Sequence, residues 1–145
     1  AHFDDLELAS RAIVDGVLLQ GVEFNAVGGP TLGADALTIG IAGIQRCRWF
    51  FVRKEPKGRG TNKLIEGSSI GDGDRCLLVE DAITTGGSLL KAVDAVEATG
   101  ARVVAVSTLV DRGEIARPLI ENRGILYYPI ATYRDLEIEP VEPPS

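Results

Sequence analysis

The sequence has few of the residues on which several protein classes depend. Methionine is absent, histidine and tryptophan occur once each, and Cys47 and Cys76 are the two cysteines among 145 residues. Two cysteines provide neither a disulfide framework nor a metal cluster, and the expected location is the reducing cytoplasm. Because methionine is missing even at position 1, we expect that the chain was processed or begins inside a longer one.

Long apolar runs and an excess of positive charge are also missing. The longest uncharged apolar stretch, residues 36–45, is about half of the ~20 residues that a helix needs to span a bilayer. Fifteen Lys and Arg stand against 21 Asp and Glu, which gives a net charge of −6. These features argue against a membrane protein and against a general nucleic-acid binder, so any anion site has to be local.

Apolar residues follow strand spacing and helix spacing in turn. Continuous apolar runs at residues 49–52, 76–79 and 103–106 predict strands that are covered on both faces. Residues 88–99 predict a helix between the last two strands, and Gly100 ends it. A strand, a helix and a parallel strand in succession form a βαβ unit. Further helices are predicted at residues 4–20, 37–41 and 114–123, and further strands at residues 24–27 and 125–128.

This alternation predicts a doubly wound α/β fold, with a mainly parallel sheet and helices on both faces. A chain of 145 residues that is 45% hydrophobic suits one domain. We assign residues 1–138 to that domain and the acidic, proline-rich residues 139–145 to a loose tail. Ligands of such folds bind at the carboxyl ends of the strands, so the loops at that edge are the candidate functional segments.

The segment after the strand at 76–79 combines two acids with small and hydroxylated residues. It reads Glu80-Asp81-Ala82-Ile83-Thr84-Thr85-Gly86-Gly87-Ser88. Free N–H groups at a helix start can hold a phosphate, and carboxylates can hold hydroxyls or a Mg²⁺ ion on the same ligand. A ribose phosphate offers both. For an isolated loop, the alternative is that Asp81 and Ser88 only cap a turn and a helix. The spacing of the glycines matches neither a P-loop nor a Gly-x-Gly-x-x-Gly motif.

This segment resembles the motif with which type I phosphoribosyltransferases bind 5-phosphoribosyl 1-pyrophosphate (PRPP). The resemblance implies that residues 80–88, including Ala82 and Ile83, bind PRPP. Glu80 and Asp81 would hold the ribose 2- and 3-hydroxyls, and residues 84–88 would wrap the 5-phosphate. It also implies a Mg²⁺ cofactor that arrives with PRPP, with Glu80 and Asp81 as candidate protein ligands.

A basic loop with several glycines follows the strand at 49–52. Residues 46–63 hold seven of the 15 basic residues, which suits a lid over pyrophosphate; a solvated loop is the alternative for a basic run alone. The loop resembles the Arg-Lys-x-x-Lys-x-His-Gly pattern of orotate phosphoribosyltransferases. That resemblance implies that Arg53, Lys54 and Lys57 bind PRPP. It makes Lys54, Lys57, Arg59 and Asp81 the candidate catalytic residues.

Arg59 stands where the family has histidine. Arginine can neutralise pyrophosphate charge but cannot transfer protons near neutral pH.

Three further segments carry the same resemblance. Leu64-Ile65-Glu66-Gly67 resembles the sequence that follows the basic loop in the family. Residues 28–35 resemble its pyrophosphate loop, for which the candidate contacts are Pro30, Thr31, Leu32 and Gly33. Val110-Asp111-Arg112-Gly113 resembles the segment whose arginine meets the carboxylate of orotate, a role that suits a planar guanidinium. Arg112 and Thr84 are thus the candidate orotate contacts; for an isolated Asp-Arg pair, a salt bridge with Asp111 or Glu114 is the alternative.

The resemblance runs from about residue 25 to residue 113. It implies an enzyme of pyrimidine nucleotide biosynthesis that transfers a phosphoribosyl group from PRPP to a nucleobase. Orotate is the favoured base. The resemblance also implies a homodimer whose lid loop reaches the neighbouring site. From the charge balance we expect no nucleic-acid or membrane partner. The family's N-terminal base-recognition segment is not recognisable before Asp4, so we expect it to be missing or altered. Together with Arg59, this favours the alternative of a PRPP- or nucleotide-sensing regulator without turnover; a phospho-receiver domain is disfavoured because its acids follow its first strand.

Overall fold

The computed structural model describes residues 3–56 and 63–144. The described helices and strands are α1 (Phe3–Leu19), β1 (Ala26–Pro30), α2 (Asp35–Gln45), β2 (Arg48–Val52), β3 (Ile65–Gly67), β4 (Arg75–Ile83), α3 (Gly87–Glu97), β5 (Arg102–Asp111), α4 (Ala116–Glu121) and β6 (Leu126–Thr132). The strands form one sheet in the order β3-β2-β1-β4-β5-β6. Neighbouring strands are parallel except for the antiparallel pair β2 and β3. Within the described ranges, no helix has the length and apolar character that a membrane crossing requires.

Both faces of the sheet are covered, which confirms the predicted doubly wound α/β fold. Helices α1 and α2 bury one face, and α3 and α4 bury the other. Successive residues of β4 alternate between the two cores: Leu77 and Val79 belong to one, and Cys76 and Leu78 to the other. Because both faces are buried, the strand reads as a continuous apolar run rather than an alternating one.

Several strands reach further toward their carboxyl ends than the sequence predicts. β4 continues to Ile83 and β5 to Asp111, because backbone pairing between them persists through the polar residues: Glu80 pairs with Thr108, and Ile83 with Asp111. The predicted pyrophosphate loop is also partly strand, since β1 includes Gly28, Gly29 and Pro30. A side chain on Gly28 would meet the Phe50 ring, and one on Gly29 would meet the Val79 carbonyl. Close packing between strands therefore accounts for these two glycines.

Two elements differ from the prediction for local reasons. The three-residue edge strand β3 was not predicted, because it is too short to show a period of its own; it pairs with β2 from Val52–Ile65 to Phe50–Gly67. Helix α4 begins at Ala116 rather than at residue 114. Glu114 has a left-handed φ of 57° and so cannot lie in a right-handed helix.

The C-terminal segment contacts the loop that contains Arg112. The Val141 amide donates a hydrogen bond of 2.7 Å to the Arg112 carbonyl. A Cβ atom on Gly113 would lie 2.5 Å from the Val141 oxygen, so the tail packs closely against this loop. Backbone hydrogen bonding is open to any residue but proline, and a composition rich in proline and acids does not reveal it.

Candidate active site

The carboxyl ends of four strands bring the candidate segments to one edge of the sheet. Pro30 at the end of β1 pairs with Val52 at the end of β2, and Ile83 at the end of β4 pairs with Asp111 at the end of β5. β1 and β4 are neighbours at the centre of the sheet. The predicted pyrophosphate loop, the start of the basic loop, the acid pair and the Asp-Arg segment therefore lie at the same edge of the sheet.

The acid pair Glu80 and Asp81 lies within β4 rather than in a loop. Glu80 is partly buried and Asp81 is exposed. Burial, and then the charge of Asp81, raise the pKa of Glu80 to about 7, while the charge of Lys54 lowers it. Two carboxylates thus follow each other at the end of the strand, and one of them titrates near neutral pH. Hydroxyl groups or a cation of a bound ligand would favour the ionised form of Glu80.

Gly33 brings the pyrophosphate loop into contact with this acid pair. A Cβ atom on Gly33 would lie 2.6 Å from Oδ1 of Asp81. The loop is fixed from both sides, since the Thr31 amide donates to the Val52 carbonyl and the Ala34 amide donates to the Pro30 carbonyl, each at 3.1 Å. The peptide bond between Thr31 and Leu32 is cis. The backbone at Leu32 and Gly33 is therefore held at the edge of the acid pair, where both residues are exposed.

The turn between β4 and α3 has the form of an anion-binding helix start. Its last residue, Gly86, has a left-handed φ of 87° and occupies the N-cap position without a side-chain hydrogen bond to the helix. Ser88 lies inside the first turn, so it is not the cap residue that the alternative interpretation required. Among the residues that the structure describes, no side chain caps the amide groups at the start of α3, and Thr84, Gly87 and Ser88 are exposed beside them. An uncapped helix start of this kind can hold a phosphate.

The basic loop is tied together where it leaves the sheet. The Arg53 amide donates to the Leu64 carbonyl at 2.7 Å. The Arg53 guanidinium forms an ion pair with Glu66 at 2.8 Å and donates to the Glu55 carbonyl at 3.3 Å. Lys54 is exposed and acts electrostatically on Glu80. The remaining candidates of this loop, Lys57 and Arg59, lie outside the described residues.

Two clefts flank Lys54. One of about 730 Å³ is lined by Thr31, Leu32, Arg53 and Lys54 among others, and one of about 720 Å³ is lined by Lys54, Gly87, Ser88 and Lys91 among others. Among the described residues, Glu80 and Asp81 line neither cleft. Lys54 lines both clefts, and its charge acts on Glu80. Lys91 was not predicted as a site residue. Its position one helical turn after Ser88 is the sequence feature that could have indicated it.

Arg112 lies beside the end of β4 with part of its donor capacity unused. Its amide donates to the Ile83 carbonyl at 2.8 Å, so Arg112 and Thr84, the two candidate orotate contacts, are close together. The Nε atom of Arg112 is buried and has no hydrogen-bond partner in the part of the chain that is described. Glu114 instead pairs with Arg134 at 3.4 Å, and Asp111 accepts hydrogen bonds from other groups. The described contacts therefore do not show the salt bridge of the alternative interpretation.

Comparisons with known proteins cover all of these segments. The profile of the phosphoribosyl transferase domain matches residues 20–122. The orotate phosphoribosyltransferase of Thermococcus gammatolerans is 41% identical over 133 residues, which are 92% of this chain and 70% of that protein.

Solved structures of orotate phosphoribosyltransferases are similar to this chain over most of its length. The crystal structure of Mycobacterium tuberculosis orotate phosphoribosyltransferase in complex with PRPP is similar with a TM-score of 0.76 and 37% identity, over 94% of this chain and 78% of that one. The crystal structure of orotate phosphoribosyltransferase from Aeropyrum pernix has a TM-score of 0.80 and 27% identity, over 93% of this chain and 75% of that one.

Proposed function

The chain belongs to the phosphoribosyl transferase domain family, and from this premise we propose that it is an orotate phosphoribosyltransferase of pyrimidine nucleotide biosynthesis. It transfers the phosphoribosyl group of PRPP to orotate and releases pyrophosphate. The observation that carries the proposal is the contact between Gly33 of the pyrophosphate loop and the Asp81 carboxylate. This contact supports a single site in which the ribose and the pyrophosphate of one PRPP molecule lie next to each other.

PRPP binding divides among the segments at the sheet edge. Glu80 and Asp81 accept hydrogen bonds from the ribose hydroxyls, and the uncapped start of α3 binds the 5-phosphate. Residues 30–33 and Lys54 face the pyrophosphate. The anionic groups of PRPP thus meet amide groups and basic side chains, and the hydroxyls meet the two acids.

The residues at this edge also fit a Mg²⁺ ion that is carried by PRPP. In the described ranges, no cluster of three or more His, Cys, Asp and Glu side chains could enclose a metal ion. Two adjacent carboxylates suit Mg²⁺, which commonly takes one or two protein ligands and completes its octahedron with waters and phosphate oxygens. When bound, the ion would neutralise charge on the departing pyrophosphate.

The reaction is a substitution at ribose C1. The bond from C1 to the pyrophosphate oxygen breaks, and its electron pair leaves with pyrophosphate. A bond from C1 to a ring nitrogen of orotate forms, and the proton of that nitrogen passes to water or to the departing pyrophosphate. Positive charge develops on the ribose and negative charge on the leaving group, so positioning and charge stabilisation supply the catalysis and no protein nucleophile is needed. Arg112, whose Nε has no hydrogen-bond partner among the described residues, binds the carboxylate of orotate beside Thr84.

Lys54 and Lys57 are expected to act mainly on the leaving pyrophosphate. Replacing both with alanine should lower kcat by about 10²-fold, the scale seen when a group that stabilises transition-state charge is removed, while the affinity for the nucleotide product changes far less. Steady-state kinetics and product titration measure the two quantities. Lys63→Ala removes a charge from the same loop and is the control. Equal losses in kcat and product affinity would indicate ordinary ground-state binding.

The choice of base is tested by competition. Orotate, uracil, adenine and hypoxanthine are supplied together with PRPP and Mg²⁺, and the nucleotides formed are separated and quantified. We expect orotidine 5′-monophosphate as the main product, because orotate is the base among these that offers a carboxylate to Arg112. A main product from another base would contradict the orotate assignment and leave the PRPP site standing.

The assembly and location follow from the same proposal. We propose a homodimer in the cytoplasm, in which the basic loop reaches the neighbouring site. The family resemblance supports the dimer, and the unpaired state of Cys47 and Cys76 is compatible with a reducing compartment. The mass of the particle in solution tests the dimer.

A further inference from the structure

A buried pair of polar side chains lies directly behind the Arg112 loop. Asp111 is completely buried and Tyr127 is 4% exposed. The Tyr127 hydroxyl donates to Oδ2 of Asp111 at 2.7 Å, while the amides of Gly113 and Glu114 donate to Oδ1 at 3.0 and 2.7 Å. All three contacts are internal, so the proposed reaction gives this pair no direct contact with a substrate.

These bonds fix the backbone on both sides of Arg112. Asp111 holds the two amides that follow Arg112. The backbone of Arg112 itself is bonded to Ile83 through its amide and to Val141 through its carbonyl. The loop then turns at Glu114, whose φ of 57° is a conformation that non-glycine residues seldom adopt without support. The Asp111 carboxylate supplies that support.

We propose that Tyr127, acting through Asp111, is a positioning residue that holds Arg112 where its guanidinium meets the carboxylate of the base. This inference rests on the proposed function, because it presumes that the base carries a carboxylate. A guanidinium recognises a carboxylate through two parallel hydrogen bonds, and a small displacement of its backbone would break that geometry. Tyr127 would thus determine base specificity without touching the base.

The surroundings of Tyr127 suit a permanent hydrogen-bond donor. Burial, and then the hydrogen bond to Asp111, raise the pKa of Tyr127 above its ordinary value. The hydroxyl therefore stays protonated at neutral pH and continues to donate. The guanidinium of Arg117 lies 5.0 Å from the centre of the Tyr127 ring and fixes the other side of the side chain.

Tyr127→Phe removes the hydroxyl alone, and Tyr128→Phe is the matched control. Tyr128 is the next residue of β6 and packs with the opposite core, against Gly16 of α1. Titration calorimetry measures the affinities for orotidine and uridine 5′-monophosphate, which differ only in the carboxylate. In Tyr127→Phe we expect the preference for the orotidine nucleotide to fall by about tenfold or more, on the scale of one hydrogen bond to a charged group. Uridine nucleotide binding should be unchanged in both variants.

Kinetics provide a second measurement of the same effect. Tyr127→Phe should raise KM for orotate and leave KM for PRPP unchanged, since the PRPP contacts lie on other segments. Asp111→Asn can keep all three contacts, because its Oδ1 still accepts from the two amides and its amide group can donate to the Tyr127 oxygen. We therefore expect Asp111→Asn to retain most of the preference and Asp111→Ala to lose it.

The outcomes separate the two proposals. If Tyr127→Phe weakens the binding of both nucleotides equally, the residue has a general structural role. If Asp111→Asn loses the preference to the same extent as Asp111→Ala, the carboxylate acts through its charge and not through position. Either result overturns the positioning role. The positioning role is also overturned if the parent protein prefers the orotidine nucleotide and the Tyr127→Phe variant keeps the same preference. A parent without any preference would instead overturn the orotate assignment, and this inference with it.

Discussion

Replacing Glu80 with glutamine and Asp81 with asparagine together is expected to weaken PRPP binding by at least about tenfold. Neutral amides cannot provide the charge-assisted acceptance that the ribose hydroxyls receive from carboxylates. A hydrogen bond to a charged group contributes ~1.5–3 kcal/mol, and ~1.4 kcal/mol is a factor of ten in affinity. Titration calorimetry with PRPP and Mg²⁺ measures the effect.

The control for this variant is Asp4→Asn with Asp5→Asn. It replaces two exposed, adjacent acids at the start of α1 by their amides, far along the chain from the sheet edge. Its affinity for PRPP should equal that of the parent. An unchanged affinity in the Glu80 and Asp81 variant, with the protein still folded, would show that the ribose lies elsewhere.

The same site gives the affinity a pH dependence. Burial and Asp81 raise the pKa of Glu80 to about 7, so below that pH the unliganded protein holds Glu80 mainly protonated and must ionise it to accept hydroxyl hydrogen bonds. The affinity of the parent for PRPP should therefore rise between about pH 6 and pH 8. PRPP itself titrates in this range, and the Glu80 and Asp81 variant, which lacks the protein group, reports that contribution separately.

Gly86→Val is expected to reduce both the stability of the fold and the affinity for ribose 5-phosphate. Gly86 has a φ of 87°, and a Cβ atom there would lie 2.9 Å from the Cβ of Ala116. A β-branched residue in this conformation should cost about 1–3 kcal/mol in the free energy of unfolding. The backbone would then shift away from the form that places the first amides of α3 around the phosphate, and we expect the affinity to fall by about tenfold or more.

Gly87→Ala is the control for the stability effect. The nearest atom to a Cβ on Gly87 is Oγ1 of Thr85 at 4.0 Å, an ordinary contact, and the φ of Gly87 lies outside the left-handed region. Thermal unfolding should therefore show a large loss for Gly86→Val and little change for Gly87→Ala. Similar melting temperatures and similar phosphate affinities for Gly86→Val and the parent would place the phosphate site elsewhere.

The sequence alone shows Gly86 only as a glycine of the candidate phosphate loop. In the fold, the missing side chain would point at Ala116 of α4, so the glycine serves both the left-handed turn and the packing of α4. The sequence identifies the glycine but not its neighbour, because α4 is distant along the chain.

Strands that are buried on both faces were predictable, and their ends were not. The apolar run at residues 76–79 identifies β4 because each of its residues enters one of the two cores. The strand continues through Glu80 and Asp81 because of backbone pairing with β5, and hydropathy does not report such pairing.

The candidate site shows the same division. Residues 80–88 are contiguous, so their chemistry could be interpreted from the sequence directly. The contact between Gly33 and Asp81 and the bond between Tyr127 and Asp111 join separate segments, and they depend on strand order and register. In the sequence, Tyr127 lies in an apolar run and resembles any other core residue.

The central claim is that this site turns over PRPP with orotate, and pyrophosphate release tests it most directly. The protein is mixed with PRPP, Mg²⁺ and orotate, and the pyrophosphate formed and the orotate consumed are measured together over time. We predict release of one pyrophosphate for each orotate consumed, dependent on both substrates and strongly reduced in the Glu80 and Asp81 variant. PRPP binding at the site without orotate-dependent pyrophosphate release would contradict the claim and indicate a PRPP-sensing protein on the same fold.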